Sequence, residues 1–360
     1  MVPSLAWLIA ARAAQGVAAA ILTPSSLALI GATFPKQARN RAIGVWAAAG
    51  ALTTAGGPIL GGWLTDQFGW QWIFAINPPL AVIAIALLIG YAPPDRREER
   101  RFDLPGAAIL ATALGALAWA LSEIGSTKSA AASGTRILEL AALGATALAG
   151  YAFWERFSAH PMTPPRLMSN RAFVGLNIAT LLLYAGMAMM FFLLSFDLVD
   201  RRALTPTETG FAFLPLTLAV GFLSPVFGAL ADKIGAQKVL ITGELCAALS
   251  LLLMAFGHDV SLTLGVIGPM TLLGISFALL VTPLTASVMS SIDDEGLASG
   301  VNNAVSRVAQ LCGVALAAGV ASFAAGYRAG FLTAAGLALG AACITAATLP
   351  PKRSPDRAAT

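Results

Sequence analysis

Charged residues are scarce in this sequence: 11% of its 360 residues, against 57% apolar. Soluble proteins average about 25% charged, so the chain has roughly half of what a water-facing surface requires. That shortage excludes an ordinary soluble enzyme. Histidine occurs twice, at His160 and His258, in different loops. Cysteine occurs three times, and Cys246, Cys312 and Cys343 each lie in an apolar run with no partner at metal-ligand spacing. Neither a metal site nor a disulfide framework is expected, and the cysteines read as small packing residues. The sole candidate for a metal-holding carboxylate pair at the membrane interface is Asp293-Asp294-Glu295. With no second acidic motif, that trio leaves a membrane enzyme acting on lipid-linked substrates as a minor alternative. Met1 to Ala11 lacks a basic start, so no cleavable signal peptide is expected.

What the sequence does have is long apolar runs, which predict membrane helices at 5–31, 41–63, 70–91, 103–125, 136–154, 171–196, 207–231, 237–257, 260–290, 296–322 and 328–348. Each is near the roughly 20 residues that a helical crossing needs. The expected fold is therefore an all-α polytopic membrane protein with eleven spans, its termini on opposite sides. Fifteen Lys and Arg residues fall on one set of connections and the tail, and five on the alternate set. By the positive-inside rule the first set and the C-terminus face the cytoplasm and Met1 faces outside. The net charge of +4 is accounted for by this bias, and nothing remains to suggest nucleic acid.

Two proline-rich, charged stretches, Pro93 to Arg101 and Glu155 to Arg166, read as joints. They divide the chain into residues 1–91 with three spans, 92–160 with a linker and two spans, 161–349 with six spans, and a tail at 350–360. An internal echo links Gly62-Trp63-Leu64-Thr65-Asp66-Gln67-Phe68-Gly69 to Gly228-Ala229-Leu230-Ala231-Asp232-Lys233-Ile234-Gly235, each between two spans. The topology puts the copies on opposite faces, as an inverted repeat would.

A charge near the bilayer centre is costly and marks a functional candidate. Most acids have simpler explanations. Asp103 before Leu104-Pro105-Gly106 reads as a helix N-cap, and Glu139 can pair with Arg136. Asp66, Glu123 and Asp197 fall near the outer boundary, within reach of water. Glu244 either pairs with Lys238 or snorkels, or else lines a path through the membrane. Two arginines lie deeper: Arg12 about 10 Å into the first span and Arg307 about 16 Å into the tenth, at 1.5 Å per residue. Arg12, Gln15, Gly16, Ala19 and Thr23 share one helical face. Ser299, Asn302, Asn303, Ser306, Arg307, Gln310 and Gly313 form a longer polar stripe. A stripe of this kind either lines a central cavity or ties the bundle together by hydrogen bonds.

The second span carries Gly50, Gly56, Gly57, Pro58, Gly61 and Gly62. Pro58 removes a backbone donor, and the Gly57/Gly61 spacing lets a neighbouring helix approach; a bend that controls access is equally consistent. Arg12-x-x-Gln15-Gly16 with Gly50, Gly57-Pro58 and Gly61-Gly62 resembles the paired signatures of proton-coupled antiporters in the major facilitator superfamily. Gly228-x-Leu230-x-Asp232-Lys233-x-Gly235-x-x-Lys238 resembles that superfamily's cytoplasmic loop. Phe102 to Gly106, the two spans after it, and Ser299-Gly300-x-Asn302-Asn303 through Arg307 and Gln310 resemble the fourteen-span drug:proton branch. The resemblance implies the major facilitator fold, with three helices fewer than that branch at the N-terminal end. It implies proton coupling at Arg12, antiport enforced by the glycine-proline helix, and a gate latched by Asp232, Lys233 and Lys238. It further implies export of hydrophobic or amphipathic molecules across the cell membrane, driven by a proton gradient with no cofactor. A truncated, non-transporting relative remains the alternative.

Overall fold

The computed structural model describes residues 5–34, 50, 53, 56–91, 103–124, 130–158, 163, 165–257, 260–292, 295–321 and 326–351. The carboxylates of Asp293 and Asp294, both histidines, the joint from Pro93 to Arg101 and the basic tail lie outside the described residues. Among those described, every regular element is helical. This follows from the composition: in lipid each N–H and C=O must be satisfied within its own segment, and an apolar helix does that.

The helices are α1 (Leu5–Thr33), α2 (56–68), α3 (Trp72–Ala75), α4 (Asn77–Tyr91), α5 (Leu104–Ile124), α6 (Ala130–Phe157), α7 (Arg171–Phe196), α8 (Pro206–Ala212), α9 (Leu214–Ile234), α10 (Ala236–Phe256), α11 (Gly268–Ser290), α12 (Glu295–Ala321) and α13 (Gly326–Thr348). Among the described residues, eight continuous stretches are long and apolar enough to cross a membrane, including Trp72–Tyr91, Arg171–Arg201 and Pro206–Ile234. These combine α3 with α4, and α8 with α9, as single crossings. The all-helical, multi-pass architecture agrees with the sequence reading.

Local signals set several boundaries. Asp103 caps α5, its Oδ1 accepting from Gly106 N at 2.9 Å. Asn170 does the same for α7 through Phe173 N. Thr205 and Glu208 form a reciprocal capping box at α8, with Pro206 in the first helical position. Gly69 and Gly235 close the two echoed octapeptides, with φ of 93° and 97°. Side chains strongly disfavour that left-handed region, so glycine is required at both turns. The echo is thus also a structural one: a helix ends, a left-handed glycine turns the chain, and a new helix begins.

One apolar core joins α7 through α13, with Leu176, Met189, Met190, Leu193, Leu240, Met270 and Leu273 fully enclosed. Small residues let these helices come close, as expected where lipid and side chains are equally apolar. An added Cβ at Gly186 would lie 3.2 Å from the Ala334 carbonyl oxygen, joining α7 to α13. At Gly313 it would overlap the Ala185 carbonyl, joining α12 to α7. α5 and α6 form a hairpin that packs on α12. α4 has no buried residue, in keeping with a lipid-facing helix.

Three polar expectations are corrected. Glu244 neither snorkels nor pairs with Lys238: it is 0% exposed, and its Oε1 accepts from Thr345 Oγ1 at 2.7 Å. Asp197 is not solvated but 5% exposed, with Arg201 Nε 2.8 Å from Oδ1 and Arg202 Nε 3.3 Å from Oδ2. The Arg136 guanidinium lies 5.3 Å from the Trp119 ring centroid, and among the described residues no ion pair joins it to Glu139. Glu244 and Arg136 each meet a neighbour from another helix that sequence proximity does not reveal, whereas Asp197 is enclosed together with the arginines four and five residues after it.

Candidate functional site

The polar stripe of α12 divides on helix geometry. Residues 302, 306 and 313 fall within about 40° of one another at 100° per residue, and this side faces α7. Asn302 Nδ2 donates to Asn177 Oδ1 at 3.2 Å and to Thr180 Oγ1 at 2.9 Å. Ser306 is buried, donating to Asn303 O. The other side of the stripe is open: Asn303 and Arg307 are exposed and Gln310 is half-buried. Arg307 is within electrostatic range of Tyr184 on α7, and no carboxylate pairs with it among the described residues. The hydrogen-bonding reading of the stripe therefore holds for part of it. Asn302, Ser306 and Gly313 secure α12 to α7, whereas Asn303, Arg307 and Gln310 form a polar wall. The sequence reading missed Asn177 and Thr180, which α7 supplies to Asn302, and Tyr184, which it supplies near Arg307.

Arg12 is exposed on α1. Its Nη1 donates to Gln15 Oε1 at 3.0 Å, and its guanidinium sits 4.5 Å from the Phe74 ring centroid. The i, i+3 spacing explains the first contact and a cation–π interaction the second. A Cβ at Gly16 would meet nothing within 4 Å among the described residues.

The glycine-proline helix makes its close approach at a different glycine from the one expected. A Cβ at Gly50, Gly57 or Gly61 would meet nothing within 4 Å among the described residues. At Gly62 it would overlap the Pro206 carbonyl, and at Gly210 it would lie 2.5 Å from the Pro58 carbonyl oxygen. The backbones of α2 and α8 thus cross with nothing between them. Among the described residues the close approach is made at Gly62, one position further around the helix than Gly61, and not at the Gly57/Gly61 pair.

Near the crossing, Asp66 Oδ2 accepts from Thr207 N at 2.9 Å and from the Thr207 hydroxyl.

The loop signature occupies the joint between α9 and α10. Asp232, Lys233 and Lys238 are exposed on either side of the left-handed Gly235. Gly228 abuts α11, where a Cβ would lie 2.8 Å from Thr282 Cγ2. Gln237, not singled out in the sequence, donates from Nε2 to Ala346 O at 3.2 Å and to Leu349 O at 2.6 Å, capping α13.

Comparison with known proteins gives a consistent result. The Major Facilitator Superfamily profile matches residues 1–309 and 176–360. The chain is 35% identical over 322 residues to the multidrug resistance protein Stp of Mycobacterium tuberculosis, covering 88% of this chain and 59% of that protein. It is 31% identical to the lincomycin resistance protein of Streptomyces lincolnensis, covering 88% and 66%. It is 32% identical to the puromycin resistance protein pur8 of Streptomyces alboniger, covering 87% and 63%. The chain therefore spans about three fifths of the length of these relatives. Among solved structures, an auto-inhibited POT family peptide transporter superposes with a TM-score of 0.58 at 15% identity, covering 92% of this chain and 75% of that one. At that identity the likeness concerns the fold.

Proposed function

The chain belongs to the major facilitator superfamily, and on that basis we propose that it serves as a secondary transporter that exports amphipathic or hydrophobic small molecules in exchange for protons. The observation that carries this reading is the divided stripe of α12. Asn303 and Arg307 are exposed on a helix that the sequence reading carries through the bilayer, and a guanidinium at that depth is tolerable only beside water or a partner. A wet path along the α7–α12 wall supplies that water. A wall of amides and one cation among apolar helices suits partly apolar solutes, and the resistance proteins named above are consistent with such cargo.

The remaining roles follow as parts of the same proposal. Arg12 and Gln15, linked through Nη1 and adjoining Phe74, form the proton-coupling element of residues 1–91. The α2–α8 crossing governs access, and Asp232, Lys233 and Lys238 latch the cytoplasmic side. The protein sits in the cell membrane with its C-terminus in the cytoplasm, uses the proton gradient and needs no cofactor.

The test is ethidium efflux in everted membrane vesicles that contain the 360-residue chain. Uptake into the vesicles should collapse when the proton gradient is dissipated, and Arg307→Ala should lower the rate at least tenfold with insertion unchanged. Uptake that persists without the gradient would refute coupling. No uptake by a correctly inserted chain would refute export.

A further inference from the structure

The contact between α2 and α8 joins the first part of the chain to its C-terminal half. α8 is seven residues long, and its first turn has few donors to satisfy. Pro206, the first helical residue, has no N–H. The Glu208 N–H donates to Thr205 Oγ1 in the capping box, and Glu208 Oε2 accepts from Thr205 N in return. That leaves the Thr207 N–H, which Asp66 of α2 accepts together with the Thr207 hydroxyl. A carboxylate at a helix N-terminus is doubly favoured, by the open donor and by the helix dipole. Here that carboxylate comes from a helix 141 residues away in sequence.

Both ends of α8 are built as breaks. Before it, Ala203 has φ of 52°, the one left-handed non-glycine among the described residues. An alanine there costs on the order of 1 kcal/mol and holds only where its surroundings impose it. Those surroundings are firm: the preceding Arg202 donates to Gly257 O at 3.3 Å and Val260 O at 3.2 Å, and it pairs with Asp197. After α8, Phe213 interrupts the helix, Pro215 has no donor for the carbonyl four residues back, and Thr217 Oγ1 bonds the carbonyls of Phe213 and Leu214.

Resting on the transport reading above, we propose that Asp66 is the latch of the outer gate: by holding Thr207 it keeps α8 against α2, and α8 swings out between Ala203 and Phe213 when that hold is released. The moving part is a seven-residue segment rather than the whole α8–α9 crossing, because Arg202 anchors one side and the α9 packing the other. Thr209 reports the motion. It is buried on α8, and its hydroxyl has no hydrogen-bond partner among the described residues, so outward movement of α8 brings it into water.

The experiment places a cysteine at this position, Thr209→Cys, in the full chain in intact cells. A membrane-impermeant maleimide is applied from outside, and labelling is measured against the parent with its three native cysteines. Asp66→Ala should raise the labelling rate about tenfold, the factor that 1.4 kcal/mol makes. Thr207→Val removes the hydroxyl bond and keeps the N–H, so it should raise the rate less. The combined variant should label no faster than Asp66→Ala alone, because both changes act on one contact. An unchanged rate with Asp66→Ala, or fully additive effects, would overturn the latch. Labelling needs no substrate: if efflux fails while the rate responds, the latch stands and the export reading falls. Efflux with a flat labelling response removes the latch alone.

Discussion

Substituting Gly62 with alanine is the most discriminating change in α2. Its Cβ would lie 2.7 Å from the Pro206 carbonyl carbon and 3.0 Å from Thr207 Cα, both backbone atoms that cannot rotate away. Ordinary contact begins near 3.4 Å, so α8 would have to retreat by several tenths of an ångström to about 1 Å. Forcing an extra methyl into a filled crossing costs about 1–3 kcal/mol. The closed crossing should become roughly 5- to 150-fold less favoured. Gly210→Ala should behave alike, since its Cβ would lie 2.5 Å from the Pro58 oxygen. Gly57→Ala and Gly61→Ala meet nothing within 4 Å among the described residues, and alanine is the better helix former by about 0.5–1 kcal/mol. Those two variants should keep full efflux and equal or greater thermal stability in detergent. The double variant Gly62→Ala/Gly210→Ala should fall well short of additive, because one displacement relieves both overlaps. Efflux and thermal unfolding would be measured on all five variants. If Gly57→Ala and Gly61→Ala impair efflux as much as Gly62→Ala, the close approach does not run through Gly62 and the reasoning fails.

Other sites give independent expectations. Thr345→Val leaves Glu244 Oε1 without its donor, while Oε2 already has none among the described residues, so thermal unfolding should report a loss of about 1–3 kcal/mol. Glu244→Gln keeps an acceptor for Thr345 and removes a buried acid, so stability should be equal to or above that of the parent; a loss beyond about 2 kcal/mol would contradict this. Asp197→Ala leaves the largely buried Arg202 without its carboxylate and should cost about 1–3 kcal/mol, whereas Arg201→Ala, at the more exposed partner, should cost less than about 1 kcal/mol. Asn302→Leu removes both bonds to α7 and should cost about 1 kcal/mol, and Asn177→Leu in the same background should add little.

Much of the fold was legible because it depends on local properties. Apolar run length marks the crossings, Asp103 signals its own helix start, and the glycines ending the two octapeptides signal turns that only glycine makes easily. The polar stripe of α12 was legible as well, since its residues recur at helical spacing. Its division was not, because the amide and hydroxyl that face Asn302 belong to α7, more than 120 residues earlier. Glu244 shows the same limit. Its depth in the span could be estimated, but not the hydroxyl 101 residues later that meets it. Gly57 and Gly61 were the expected contact pair because their spacing is a known packing pattern. Spacing along a helix leaves the direction of the neighbour open, and α8 lies on the side of Gly62.

The left-handed Gly235 also has a mechanical meaning. A connection of a single residue between α9 and α10 leaves almost no slack, and Gln237, two residues beyond it, is fastened to the last carbonyls of α13. A displacement at the cytoplasmic end of α9 is therefore carried at once to α10 and from there to α13, as a crank carries rotation through its arm. The charged residues on this elbow, Asp232, Lys233 and Lys238, stand at the short end of that lever, where a push would be passed to three helices.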